Sequence, residues 1–204
     1  MDTSEQRATL AGTRAAPSVL ECILYDAAAL GFEMSCDAST GGLLGTLAAS
    51  KRGGRFLEIG SGAGAAFSWI LAAMDLRSTL LSVDNDERVL EVARRHLGTD
   101  PRAQFVLADA SETLRTMQGQ YFDMIFADSW PGKFQDLELA IELLAPGAIY
   151  VVDDLLPQPT WPDGHDASVA ELIDRLSNDA RLALTKLSWS TGLIIATRLE
   201  DEQP

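Results

Sequence analysis

From Arg55 onward, short and almost uninterrupted apolar runs alternate with longer segments whose apolar residues recur at helical spacing. The runs Arg55–Ile59, Thr79–Asp84, Gln104–Leu107, Phe122–Ala127 and Ala148–Asp153 predict strands. Stretches such as Met124-Ile125-Phe126-Ala127 and Ile149-Tyr150-Val151-Val152 carry no charge, as expected of strands covered on both faces. Between them, Ala65–Met74, Glu87–Leu97, Ser111–Met117 and Gln135–Leu144 read as helices. Strand–helix repetition of this kind implies an α/β fold with a doubly wound, mostly parallel sheet and helices on both faces. The end of the chain departs from the pattern. A helix, Ala167–Ser177, leads into two strand-like runs, Arg181–Trp189 and Leu193–Leu199, joined by Ser190-Thr191-Gly192 as a hairpin. Two helices, Ser18–Leu30 and Thr40–Ala49, precede the first strand, where they can cover a ligand.

This pattern divides the chain into a mobile polar tail over 1–16 and one domain over 17–204. Within that domain, 17–50 holds the N-terminal helices, 55–155 a ligand-binding core and 181–199 the closing hairpin. A length of 204 residues suffices for one substantial core. No apolar stretch is long enough to cross a bilayer and the first residues are polar, so neither a membrane nor a secretory route is expected. Cys22 and Cys36 are too few for a disulfide framework and suit a reducing, cytoplasmic setting. Against 16 basic side chains stand 30 acidic ones, a formal charge of −14. Such a field repels phosphate backbones and excludes nucleic acid as the expected partner, leaving neutral or cationic small molecules. The amphipathic N-terminal helices are compatible with a homodimer.

Candidate chemistry begins where the first strand ends. Phe56-Leu57-Glu58-Ile59 runs into Gly60-Ser61-Gly62-Ala63-Gly64, and Asp84 closes the next strand. Alternating glycines let backbone N–H groups approach a ligand, and a carboxylate at the second strand end can hold ribose hydroxyls. Glu58 stands inside the strand, where dinucleotide-binding domains usually keep an apolar residue, which argues against a dinucleotide fingerprint. Asn85 and Asp86 follow Asp84, and Asp86 is also a natural cap for the helix near Glu87. After the third strand comes Asp109-Ala110-Ser111, in which Asp109 can face an adenine amino group or cap a helix.

Asp128 ends the fourth strand and Asp153-Asp154 the fifth. In a strand order 3-2-1-4-5 these strands are neighbours, about 4.8 Å apart. Three carboxylates on one spot must take up protons, repel one another or hold a cation, and an all-oxygen set suits Mg2+ or Ca2+.

At this point the chain resembles a known family. Asp128-Ser129-Trp130-Pro131-Gly132-Lys133-Phe134, then Leu143-Leu144-Ala145-Pro146-Gly147 and Asp153-Asp154, are similar to the catechol and caffeoyl-coenzyme-A O-methyltransferases, class I enzymes that use S-adenosylmethionine. The resemblance runs from about Met34 to Leu156 and implies a seven-stranded sheet of order 3-2-1-4-5-7-6 with the last strand antiparallel. It also implies that Glu58, Gly60, Ser61, Gly62 and Gly64 shape the methionine end of the cofactor site, and that Asp84 with Asn85 holds the ribose. Asp109, Ala110 and Ser111 would border the adenine, and Asp128 with Asp153 and Asp154 would sit beside the donor as metal ligands. Trp130 would flank the substrate, and Trp161 can complete an aromatic wall. Two departures stand out. Asp154 occupies a position that is usually Asn, and Pro131 replaces the family's catalytic Lys, leaving Lys133 two residues further on.

The expected activity is therefore S-adenosylmethionine-dependent methylation of a small-molecule oxygen, with a divalent metal as an optional aid and a metal-independent methyltransferase as the variant. Lys133 and His165 are the candidate catalytic side chains, although a lone histidine in the loop Leu156–His165 is expected to lie at the surface. Pro157, Pro159, Trp161, Pro162 and Gly164 make that loop stiff enough for a lid. Two competing readings are a nicotinamide (NAD)-dependent oxidoreductase, for which Tyr121, Tyr150 and Lys186 lack the spacing of a catalytic Tyr–Lys pair, and a non-catalytic nucleoside-binding protein.

Overall fold

A computed structural model describes residues 15–158 and 161–200; residues 1–14 of the expected tail and Pro159 of the expected lid lie outside the described residues. In chain order the elements are α1 (Leu20–Ala29), α2 (Ala38–Ser50), β1 (Arg55–Ile59), α3 (Ala65–Ala73), β2 (Thr79–Asp84), α4 (Glu87–Leu97) and β3 (Ala103–Leu107). There follow α5 (Ala110–Thr116), β4 (Phe122–Ala127), α6 (Leu137–Glu142), β5 (Leu144–Val152), α7 (His165–Ser177), β6 (Leu182–Leu187) and β7 (Leu193–Arg198).

The strands form one sheet of order β3-β2-β1-β4-β5-β7-β6. β1 to β5 are parallel, and β7 runs antiparallel to both β5 and β6. The period-2 geometry of the strands sorts their apolar residues onto two faces. Phe56, Met124, Phe126 and Val151 join Ile23 of α1, Leu44 of α2, Phe67 and Ile70 of α3 and Val92 of α4 in one core. Leu57, Ile59, Ile125, Tyr150 and Val152 join Leu114 of α5, Ile141 of α6 and Leu172 and Leu176 of α7 in the other. Helix α4 shows how the local pattern serves this packing. Val89, Leu90, Val92, Ala93 and Leu97 are buried, Asp86 caps the start by accepting the Arg88 N–H, and Arg94, Arg95 and His96 occupy the last turn. Those basic residues lie against the negative end of the helix dipole.

The structure differs from the expected boundaries in three informative places. β5 starts at Leu144 instead of Ala148, and α6 shrinks to Leu137–Glu142. The early start is possible because the pairing with β4 shifts register between Phe122 and Met124, where Pro146, without an N–H, and Gly147 at φ +76° sit. α2 begins two residues earlier than expected, because Asp37 caps it by accepting the N–H groups of Ser39 and Thr40. α7 begins at His165, which therefore belongs to a helix start and not to the preceding loop.

Candidate functional site

The carboxyl edge of β1 is where the backbone first opens. Gly60 adopts φ +98°, and a Cβ there would stand 2.8 Å from the Asp128 carbonyl oxygen, so no larger residue fits between β1 and β4. Gly62 adopts φ +47° and directs its N–H to the Asp84 carboxylate at 2.8 Å. The other Asp84 oxygen accepts the Asp86 N–H at 2.9 Å. Asp84 is thus held by its own loop and by the glycine turn, half-buried, with its carboxylate on a shared opening. Gly64 heads α3 as its N-cap residue.

Glu58 lies behind this turn with no exposed surface. Ser82, its register partner on β2, donates a hydroxyl hydrogen bond to Oε2, and Ser61 shares a hydrogen bond with Ser82. Oε1 has no partner among the described residues. Burial, above all, pushes the Glu58 carboxyl well above the usual carboxylate range, with the Asp128 and Asp84 charges adding to it against the Ser82 hydrogen bond.

A crevice of about 700 Å³ runs along this edge, within the usual size of small-molecule sites. Gly60, Ser61, Gly62, Asp84, Asn85, Asp128, Asp153, Asp154 and Trp161 all line it. Glu58 and Gly64 are not among its lining residues. Asp109, Ala110 and Ser111 do not border it: Asp109 faces solvent and caps α5 by accepting the Glu112 N–H at 2.9 Å. Trp130 is half exposed and also stands outside the lining.

Asp128 and Asp153 extend from the ends of paired strands, since Ala127 and Val152 are in register and Asp153 donates its N–H to the Ala127 carbonyl at 3.3 Å. Burial pushes the Asp128 carboxyl well up, opposed by the Lys133 charge and reinforced by Asp153 and Asp154. Burial also pushes Asp153 up, to about 6, against hydrogen bonds from the Thr191 hydroxyl and the Asp154 N–H at 2.7 Å. Both of those donors use the same oxygen, Oδ1. Asp154 adopts φ +62°, which is costly for a residue with a Cβ. Lys133 is 4% exposed, and its ammonium donates to the Asp153 carbonyl oxygen at 3.1 Å. Tyr150 fixes the segment carrying Lys133 by donating its hydroxyl to the Gly132 carbonyl. All three carboxylates line the crevice, yet they do not gather into a set that fits a divalent cation. Asp153 Oδ1 is occupied by protein donors, a buried ammonium lies beside the cluster, and no group of three or more His, Cys, Asp or Glu side chains among the described residues is arranged to hold a metal.

Another wall comes from the segment between α1 and α2. Phe32, Cys36 and Asp37 line the crevice, with the Phe32 ring close against Gly62. Asp37 accepts hydrogen bonds from the hydroxyls of Thr40 and of Ser190 in the β6–β7 turn. Burial pushes its carboxyl up, but these hydroxyls with the Ser39 and Thr40 N–H groups outweigh burial and hold it below the usual value. The Cys36 thiol is pushed well up by burial and by the charges of Asp128, Asp153, Asp37 and Glu58, which keeps it protonated. Asp37-Ala38-Ser39-Thr40 carries a helix-cap signature, so Asp37 was open to discovery from sequence, although its contact with Ser190 was not. Thr191, read from sequence only as a turn residue, holds Asp153.

His165 corrects the surface expectation. It is 8% exposed and ringed by Trp161 at 4.7 Å, Phe134 at 4.9 Å and Trp130 at 5.5 Å between centroids. Its Nδ1 has no hydrogen-bond partner among the described residues, and it does not line the crevice. The cluster ties the loop after β5 to the segment after β4 and sets Trp161 against the opening.

Comparison with known proteins agrees with this geometry. Residues 57–155, from β1 to just past β5, match a family described as a methyltransferase domain. A Mycolicibacterium paratuberculosis protein curated under an O-methyltransferase name is 27% identical over 170 residues, 78% of this chain and 77% of the relative. The catechol O-methyltransferase of Mycobacterium tuberculosis is 30% identical over 127 residues, 60% of this chain and 58% of that protein. Among solved structures, the O-methyltransferase TomG from Streptomyces achromogenes, in complex with S-adenosylmethionine, superposes with a TM-score of 0.80 at 22% identity, over 98% of this chain and 100% of that one. The sheet order with its antiparallel β7 is a methyltransferase fold shared with solved structures, and the family match with the curated relatives makes the chain an S-adenosylmethionine-dependent methyltransferase.

Proposed function

We propose that the chain transfers the methyl group of S-adenosylmethionine to a hydroxyl oxygen of a small neutral or cationic molecule. The observation that carries this reading is the crevice itself, in which Gly62 and Asp84 are joined at one end and Asp128, Asp153 and Asp154 crowd the other. In this reading Asp84 holds the ribose and the backbone of Gly60–Ala63 borders the methionine moiety. A cationic sulfonium is stabilised by the surrounding carboxylates, which also disfavour phosphorylated acceptors. The acceptor enters between Trp161 and the Cys36–Asp37 segment, whose ring and polar groups suit a flat molecule bearing a hydroxyl.

The chemistry asks for alignment above all. The acceptor oxygen attacks the methyl carbon, the carbon–sulfur bond breaks with its electron pair passing to sulfur, and the hydroxyl proton passes to water in the open crevice. Holding the two reactants in line is worth roughly 7–11 kcal/mol. Oxygen is the proposed acceptor atom because the curated relatives carry O-methyltransferase names. Assistance by Mg2+ or Ca2+ is left out of the proposal, because the carboxylate geometry does not fit one. A radiolabelled methyl donor tests the reading on a panel of phenols, catechols and amines. Label on hydroxylated acceptors supports it; label confined to amines, or none with the cofactor demonstrably bound, contradicts it.

A further inference from the structure

We infer that Lys133 is a built-in cation that does for Asp128 and Asp153 what a divalent metal does in a metal-assisted site, and so acts as a positioning residue for the donor crevice. Three features of the structure carry this. The side chain reaches inward from the segment after β4 and is 4% exposed, a position in which an ammonium needs compensation by nearby oxygens. Its ammonium is anchored on the main chain of Asp153, 3.1 Å from the carbonyl oxygen, and Lys133 is not among the residues that line the crevice. No carboxylate among the described residues forms a direct ion pair with it, and the acids that feel it most are those lining the crevice.

The geometry also explains how the site holds its acids without a metal. Asp153 turns Oδ1 to the Thr191 hydroxyl and to the Asp154 N–H, two neutral donors where a cation would otherwise be needed. The Phe134 ring covers the ammonium at 5.8 Å and limits its exchange with water. Tyr150 pins the Gly132 carbonyl one residue earlier, which fixes the entry of the lysine side chain. A fixed cation outside the crevice lining keeps a net negative face toward a sulfonium, whereas a metal ion among the lining acids would oppose it.

This inference rests on the reading of the crevice as a methyl-donor site, and one calorimetric design separates the two. S-adenosylhomocysteine titrated into the wild-type protein tests the donor site. MnCl2 and CaCl2 titrated into wild type, Lys133→Met, Lys133→Arg and Lys133→Met/Asp128→Asn test the lysine. Methionine keeps the unbranched bulk without the charge, and arginine keeps the charge. Wild type and Lys133→Arg are expected to give no saturable metal heat. Lys133→Met is expected to gain divalent binding roughly tenfold or more tighter than wild type, lost again in the double variant, with weaker S-adenosylhomocysteine binding that MnCl2 restores. Saturable metal binding by wild type that disappears in Asp128→Ala overturns the inference. So does a folded Lys133→Met with unchanged metal and S-adenosylhomocysteine affinities. If Lys133→Met does not fold, wild type and Lys133→Arg decide: metal binding by either overturns the inference, and its absence from both upholds it.

Discussion

The Asp84 carboxylate accepts the backbone N–H of Gly62 at 2.8 Å, joining the end of β2 to the turn that follows β1. That bond, with the Asp86 N–H on the second oxygen, holds the carboxylate at the lip of the crevice, the position that the proposed function assigns to ribose binding. Asp84→Ala is predicted to weaken S-adenosylhomocysteine binding by about 2 kcal/mol, roughly 30-fold, with only a small drop in thermal midpoint. Calorimetry and a melting curve on the same sample check both halves.

Glu58 sets stability against function. Its folded carboxyl titrates above the unfolded value of 4.5, so the buried anion costs stability as pH rises through and beyond that value, and the cost vanishes at more acid pH. Glu58→Gln keeps the shape and the Ser82 hydrogen bond without the charge. The variant is predicted to be more stable than wild type at pH 8, to lose that advantage near pH 4.5 and to bind S-adenosylhomocysteine more weakly. Urea unfolding at several pH values measures it; a stability gap independent of pH contradicts the assignment.

Asp37 carries the opposite sign. Its hydrogen bonds lower the folded value below 3.8, so they stabilise the protein above that pH and their contribution fades as pH falls through the folded value. Asp37→Ala removes the α2 cap and the tie to Ser190, at a predicted cost of about 1–2 kcal/mol at pH 7. With the Cys36–Asp37 wall loosened, the acceptor KM should rise more than the donor KM.

His165 separates packing from catalysis. Its ring is enclosed by Trp130, Phe134 and Trp161, away from the crevice lining. His165→Ala is predicted to cost about 3 kcal/mol and to raise the acceptor KM through the freed Trp161, while His165→Phe retains most of the activity. A general base at this position would instead lose activity equally in both variants.

The parts of this fold written in local pattern were legible in the sequence. The uninterrupted apolar strands, the turn Gly60–Gly64 and the acids at consecutive strand ends all depend on neighbours within one element, while the sheet has the order that the family resemblance implied. What stayed hidden depends on segments far apart in the chain. Asp37 meets Ser190 across 153 positions, and Thr191 meets Asp153 across 38. Neither hydroxyl differs in sequence from an ordinary turn residue. Lys133 reads as a candidate catalytic side chain beside Gly132, and only the folded β4–β5 edge shows that it is buried and anchored on the Asp153 carbonyl. His165 looks like loop chemistry until Trp130, Phe134 and Trp161 close around it. Asp109, read from sequence as an adenine contact or a helix cap, caps α5 through one carboxylate oxygen.

The central claim is that the crevice beside Gly62, Asp84 and Asp128 holds the methyl donor. Titrating S-adenosylhomocysteine into the protein by calorimetry tests it most directly, with NAD as the comparison ligand and Gly62→Val as the blocked variant. A valine at φ +47° strains the turn, and its side chain meets the Phe32 ring, 2.9 Å from where a Cβ would stand. The account predicts saturable heat with S-adenosylhomocysteine that is absent from the folded variant, and no heat with NAD. Saturable binding of NAD, or unchanged S-adenosylhomocysteine binding in Gly62→Val, contradicts it.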